Sequence, residues 1–542
     1  MIYPNNFEQK IGFNDIRSLL HERCLSTLGR EQVDSMEFSI DTLQINRWLT
    51  EVREFRNIQE GLEPFPLDNV FDVRASVARI RLEGTYMEED ELFDLKRSLE
   101  TIIAVVKFLS VGEELPNGEI QHTYPALYAL SDGVATFPIL VQRISQIIDK
   151  FGKMRDSASS DLLQIRRELA RVESSISRTL NSILHSAQNE GVVERDVTPT
   201  MRDGRLVIPV APGMKRKISG IVHDESATGK TVFIEPTEVV EANNKVRELE
   251  NEERKEIIRI LREFAKQVRP YVHEILDSYH FLALIDFIRA KAELARMLKA
   301  IEPEVKSEPH IDFIRAIHPL LQLALAKKQH STINNDKPDV VIPLDIQLTI
   351  DKHLLIISGP NAGGKSVCLK TVGLLQYMLQ CGISIPVSER STAGTFQNLM
   401  IDIGDEQSIE NDLSTYSSHL MNMKTMMKQA DSHTLILIDE FGTGTEPQIG
   451  GAIAEAVLKQ FWKKQAWAVI TTHYQNLKHF AEDHKGVVNG AMLYDRHEMR
   501  PLFQLAIGRP GSSFAIEIAR KTGIPEEVIN DASAIVGSDY IQ

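Results

Sequence analysis

"LLIISGPNAGGKSVCLK", residues 354–370, decides the fold. A short apolar run, a glycine-rich turn and an amphipathic segment read as strand, loop and helix. Residues 359–366, "GPNAGGKS", fit the pattern G-x-x-x-x-G-K-[ST] at that junction. A loop there aims backbone N–H groups at a phosphate, and its glycines clear side chains from the approach. The nucleotide-binding set is therefore Gly359, Pro360, Asn361, Ala362, Gly363, Gly364, Lys365, Ser366 and Val367. Lys365 is expected to bridge the β- and γ-phosphates of ATP, and Ser366 to ligate Mg²⁺.

Two further strands complete this chemistry downstream. "LILIDE", residues 435–440, is an apolar run ending in an acidic pair. Asp439 is placed to hold Mg²⁺ through water, and Glu440 to orient or deprotonate the attacking water. "WAVITTHY", residues 467–474, is the next apolar strand and ends in His473. A strand-end His alone reads as a satisfied surface or core residue, but the order of these motifs resembles ATPases of the ABC class, which implies a γ-phosphate-sensing role for His473. Apolar runs alternating with helical segments are the pattern of a sheet with helices on its faces.

Upstream the texture is helical. "DTLQINRWLTEVREFRNI" and "EDELFDLKRSLETIIAVVKFL" carry helical periodicity, broken by "LEPFP", "LPNG" and "TYPALYALSDG". From Asp161, Leu162, Ile165, Leu169, Val172, Ile176, Leu180 and Ile183 follow steps of three and four. They predict one apolar stripe on a long helix, as in a coiled-coil arm. A second such segment runs from Val239 through Val246, Leu249, Ile257, Ile260, Phe264 and Val268. Between them, "GRLVIPVAP" and "KTVFIEP" are short, β-branched and bounded by Gly or Pro, and read as strands.

The fold expected is multidomain. Residues 1–160 and 240–304 form a mainly helical core or lever, and 161–239 a coiled-coil clamp arm with a small β-rich tip. Residues 305–535 form an ABC-type α/β P-loop ATPase domain ending in a helical hairpin.

Bulk properties narrow the function classes. The chain has 542 residues, too many for one core, with 42% hydrophobic and 25% charged residues. No run reaches the length that spans a bilayer, so no membrane role is expected. "MIYPNNFEQK" lacks the regions of a signal peptide, and three cysteines (Cys24, Cys368, Cys381) make no disulfide framework or zinc cluster. A cytoplasmic location is expected. A net charge of −15 argues against diffuse adhesion to nucleic acid, so such a role needs a local basic patch. Arg202, Arg205, Lys215, Arg216 and Lys217 in the β-rich tip offer one, able to neutralise phosphates without reading bases. The same group also reads as a solvated basic loop.

The motifs together resemble one family. "GPNAGGKS", "LILIDEFGTGTEPQIGGAIAEA" and "TTHY", with "IHPLL" (317–321) and "GSSFAIEIARKTGIPEEVI" (511–529), are similar to the ATPase domain of the MutS DNA-repair proteins. "GRLVIPV", "GIVHDESATGKTVFIEPTEVVEANN" and "DIGDEQSIENDLSTYSSHL" resemble its second bacterial lineage, associated with recombination control. The resemblance implies a homodimer in which Ser414, the signature serine of "NDLSTYSSHL", meets the γ-phosphate held by the other subunit. ATP-dependent closure would then move the clamp. Mismatch-recognising relatives carry a Phe-x-Glu wedge in N-terminal domains. Here Phe233–Glu235 and Phe480–Glu482 lie elsewhere, so no mismatch recognition is expected. No Smr nuclease module is recognisable, so no nuclease activity is expected of this chain.

One departure concerns the base. Where the family has an aromatic residue and an Asn in a segment like [FY]-[IV]-P-N-D, this chain has "VIPLD", with Val341 and Leu344. The resemblance implies branched DNA as the partner, with suppression of homologous recombination. It leaves open the splitting of stalled or collided ribosomes through rRNA, since a basic clamp can hold either polymer. A structural DNA clamp of the Rad50/SMC kind has much longer arms, and a non-hydrolysing binding module does not need Lys365, Asp439 and Glu440. "SSFAIEIARKTGIPEEVI" has the length of a helix-turn-helix but no basic face, and reads instead as a hairpin supporting the dimer.

Overall fold

The computed structural model describes residues 1–331, 341–360, 364–404, 412–498, 500–511 and 515–537. The chain forms two compact units. One contains Met1–Phe65, Leu109–Asp132 and Leu282–Gln542; the other contains Pro66–Phe108 and Gly133–Phe281.

The first unit is built on a seven-stranded sheet. From one edge its strands run Ile2–Tyr3, Asn398–Asp402, Thr434–Ile438, Trp467–Thr471, Leu354–Ser358, Val487–Asp495 and Arg500–Ile507. All neighbours pair parallel except the last two, which are antiparallel. The three central strands are buried along their whole length and mostly apolar because both of their faces are covered, as in parallel sheets generally. Alternate residues go to opposite sides. Leu355, Ile357, Leu435, Leu437 and Val469 pack with Leu369, Val372 and Leu375 of the helix Lys365–Gln380. Leu354, Ile356, Ile436, Ile438, Ala468 and Ile470 pack with Ala454, Leu458 and Phe461 of the helix Pro447–Lys463. Parallel pairing brings the carboxyl ends of the three central strands to one side, where the loops carrying the predicted site begin.

The amino-terminal segment belongs to the same core. Tyr377, on the helix that follows the glycine-rich turn, has the rings of Phe7, Phe13 and Phe38 at 5.1, 4.6 and 5.5 Å. A small four-stranded sheet, in the order Leu344–Leu348, Ile311–Ala316, Thr392–Gly394, Val305–Lys306, adds Phe313, Ile346 and Leu348 to that cluster.

In the second unit, the helices Ser160–Asn189 and Thr237–Val268 pack antiparallel. Leu162, Val172, Ile176 and Leu180 of the expected stripe are buried, and Ile165, Leu169 and Ile183 pack partly buried beside them. Val239, Val246 and Leu249 face Val172, Ile176 and Leu180 within one cluster. At the other end, Ser159 caps the first helix by accepting from Leu162 N at 3.0 Å and donates to Glu256 at 2.8 Å. Between the helices stands an antiparallel sheet in the order Thr200–Arg202, Arg205–Val210, Val232–Pro236, Gly220–Glu225. Both sequence-predicted strands are present, joined by two edge strands that their polar composition concealed. No helix among the described residues is long and apolar enough to cross a membrane.

Candidate functional site

Among the described residues, the predicted site lies at the carboxyl ends of the three central strands and in the first turn of the helix Lys365–Gln380. Gly359 follows Ser358 at φ 142°, a conformation that favours glycine, and a Cβ there would stand 3.2 Å from Met492. Gly364, at φ 89°, caps the helix that Lys365, Ser366 and Val367 open. Asn361, Ala362 and Gly363 lie outside the described residues; Pro360 is buried beside Gly359.

Asp439 is held from two sides. Ser366 Oγ donates to its Oδ2 at 2.6 Å, and Thr471 Oγ1 donates to its Oδ1 at 2.7 Å. Glu440 N in turn donates to Thr471 Oγ1 at 2.8 Å. Glu440 adopts φ 50°, a backbone region costly for a non-glycine residue, and its side chain is exposed. The acidic pair thus splits: one carboxylate faces the helix N-terminus and the other opens outward.

Lys365 is 3% exposed, and its Nζ lies 3.4 and 3.5 Å from the ring nitrogens of His473. Burial lowers its pKa to about 8, with Lys478 adding to the shift and Glu440 and Asp439 opposing it. Burial, then Lys365 and Lys478, hold His473 below its usual range. The site therefore contains two buried lysines beside an imidazole whose pKa is held below its usual range, an arrangement suited to an anion. Ser366 and Asp439 are hard oxygen donors, the type that Mg²⁺ takes alongside phosphate oxygens. Among the described residues no group of three or more His, Cys, Asp or Glu could hold a metal ion by itself.

Ser414 lies in the first turn of the helix Asp412–Gln429, but its side chain falls outside the described residues. Val341 is half-buried and Leu344 is buried at the head of its strand. Three residues of the site escaped the sequence reading. Thr471 and Lys478 sit two before and five after His473, and Lys478 Nζ donates to Gly511 O at 2.7 Å. Phe503, at φ 55° and 45% exposed, stands 3.0 Å from where a Cβ of Gly364 would be. Neighbouring motifs could have flagged the first two; nothing local marks Phe503.

The tip residues separate into two groups. Arg205 pairs at 2.7 Å with Glu235, which is fully buried and also bonded to His223, and it bonds Asn244 as well. Arg202 lies 4.2 Å over the Phe233 ring. Arg205 is thus neutralised within the module. Lys215, Arg216 and Lys217 occupy an exposed turn, Pro212–Lys217. The Phe-x-Glu strings are structural: Phe233 and Glu235 carry these contacts, and Phe480 is buried against His484.

Comparison with known proteins accords with this geometry. Residues 355–538 match MutS domain V. Over 528 residues the chain is 36% identical to the endonuclease MutS2 of Geobacillus sp. (strain WCH70), covering 97% of this chain and 64% of that protein. Endonuclease MutS2 of Enterococcus faecalis is 35% identical over 529 residues, 98% of this chain and 64% of the relative. Endonuclease MutS2 of Pelotomaculum thermopropionicum is 38% identical over 519 residues, 95% and 62%. The chain thus spans less than two thirds of the length of these relatives.

Proposed function

We propose that this chain, whose residues 355–538 match MutS domain V, is a member of the MutS family and a Mg²⁺-dependent ATPase that works as a homodimer on branched or otherwise structured DNA. Domain V is that family's ATPase domain. The observation that carries the reading is the 2.6 Å bond from Ser366 to Asp439, beside Lys365 and His473. Lys365 and His473 would bind the γ-phosphate, gaining an anionic partner for a buried ammonium. Glu440 would align the attacking water or take its proton. Ser366 and Asp439 would hold Mg²⁺, which supplies charge neutralisation to the phosphates. Phe503 supports the adenine reading, offering a ring beside the phosphate loop where Val341 cannot stack.

The dimer rests on Ser414, proposed to complete the partner's nucleotide site, and on the hairpin Ala515–Thr522 and Glu526–Val536. Ile518, Ile524, Val528 and Ile535 are exposed there, an apolar surface fit for a second copy. ATP-dependent closure would move the helical arm and its tip as a clamp, restraining recombination. The exposed turn Lys215–Arg216–Lys217 is the proposed phosphate contact.

The test offers purified protein four-way junctions, linear duplex, mismatched duplex and collided ribosomes with ATP, and measures binding and turnover. Preference for the junction, with stimulated hydrolysis, supports the reading. Preference for the mismatch overturns it, and preference for ribosomes moves the same motor to translation quality control.

A further inference from the structure

Asp402 ends the strand Asn398–Asp402 and is 4% exposed. Its main-chain oxygen accepts from Asp439 N at 2.9 Å. Its carboxylate accepts from His419 Nδ1, at 2.8 Å to Oδ1 and 2.7 Å to Oδ2, and from Asn422 Nδ2 at 3.0 Å. Asn422 Oδ1 accepts in turn from Tyr3 OH at 2.7 Å, on the edge strand next to Asp402's own. His419 and Asn422 are three residues apart, so they share a face of the helix Asp412–Gln429. A buried carboxylate left without donors is costly, so these bonds fix both the rotation and the axial position of that helix.

The same helix carries Ser414, five residues or about 7.5 Å of helix ahead of His419. One residue, Asp402, therefore grips the helix that presents Ser414 with its side chain and the metal-site aspartate with its backbone. We propose that His419, through Asp402, is a positioning residue that sets the reach of Ser414 toward the partner's nucleotide. The link also relays the state of a subunit's own Asp439 to the site it completes on its partner. This rests on the composite dimer site proposed above.

The consequence is a defect in trans. H419A leaves its own phosphate loop intact but misplaces the helix it offers to the partner. It should bind a fluorescent ATP analogue close to normally while kcat falls at least roughly tenfold. K365A has the converse defect, with an intact helix and a damaged phosphate site. Mixing the two variants should restore hydrolysis, because one composite site then contains only intact parts. H419N keeps an N–H donor near the place of Nδ1 and should return most of the turnover, which separates positioning from a failure to fold. Wild-type turnover by H419A, loss of its nucleotide binding, or no restoration on mixing overturns the inference. A parallel mixture of S414A with K365A tests the underlying reading. Failure of that control overturns the composite site itself, whereas success there with failure of the H419A mixture overturns only the role of His419.

Discussion

Ser366 Oγ donates to Asp439 Oδ2 at 2.6 Å, joining the first turn of one helix to the end of a strand two positions away in the sheet. Ser366 and Asp439, brought together by this contact, are the residues that would hold Mg²⁺. S366A and D439N should each lower turnover by about 10²-fold, with a raised Mg²⁺ requirement in S366A. ATPase assays across a Mg²⁺ series check this; unchanged Mg²⁺ dependence in both variants would place the ion elsewhere.

Lys365 gives a pH dependence with a definite sign. Burial sets its pKa at about 8 without ligand, and a bound polyphosphate raises it. Below pH 8 the lysine is already charged and ATP binding takes up no proton there. Above pH 8 the free lysine is neutral, so binding must protonate it. Affinity then weakens by up to about tenfold per pH unit until the pKa of the bound form is reached. Titration calorimetry from pH 7 to 9.5, in buffers of different ionisation heat, measures both the affinity and the proton uptake.

Phe503 is expected to act on base binding rather than on chemistry. Removing a stacking ring costs on the order of 1 kcal/mol, so F503A should weaken ATP binding by roughly fivefold with kcat nearly unchanged. Its side chain is 45% exposed, so the melting temperature should hardly move. A loss of kcat at unchanged affinity would contradict the assignment.

The tip yields two opposite outcomes from similar substitutions. R205A removes one of the two charged partners of the fully buried Glu235, leaving His223, and should destabilise the module by about 3 kcal/mol. K215A/R216A/K217A removes exposed charges only, so it should leave stability within about 0.5 kcal/mol while weakening nucleic-acid binding and its salt dependence. Urea unfolding and junction binding over a salt series separate the two.

These cases show what a sequence discloses. The strand and helix flanking the glycine-rich turn are legible because they are contiguous, and the places of Asp439, Glu440 and His473 because each follows an apolar run. Two long helices were legible from one stripe each. Arg205 was misread as surface charge because Glu235 meets it only across a strand pair, 30 residues on. Phe503 reaches Gly364 through sheet order, and Asp402 reaches His419 across a strand and the helix that follows it, rather than through local pattern. The two-residue strand Ile2–Tyr3 is too short to carry a periodicity, yet it joins the amino terminus to the seven-stranded sheet.

The central claim is an ATP site completed by two copies of this chain. Glu440→Gln removes the proposed base but keeps Ser366, Asp439, Lys365 and His473, so it should bind Mg²⁺-ATP and hydrolyse it at least about 10²-fold more slowly. Sedimentation velocity of that variant with saturating Mg²⁺-ATP is the most direct measurement. The account predicts a stable dimer that dissociates when ATP is replaced by ADP. A variant that stays monomeric with bound ATP at high protein concentration would contradict it.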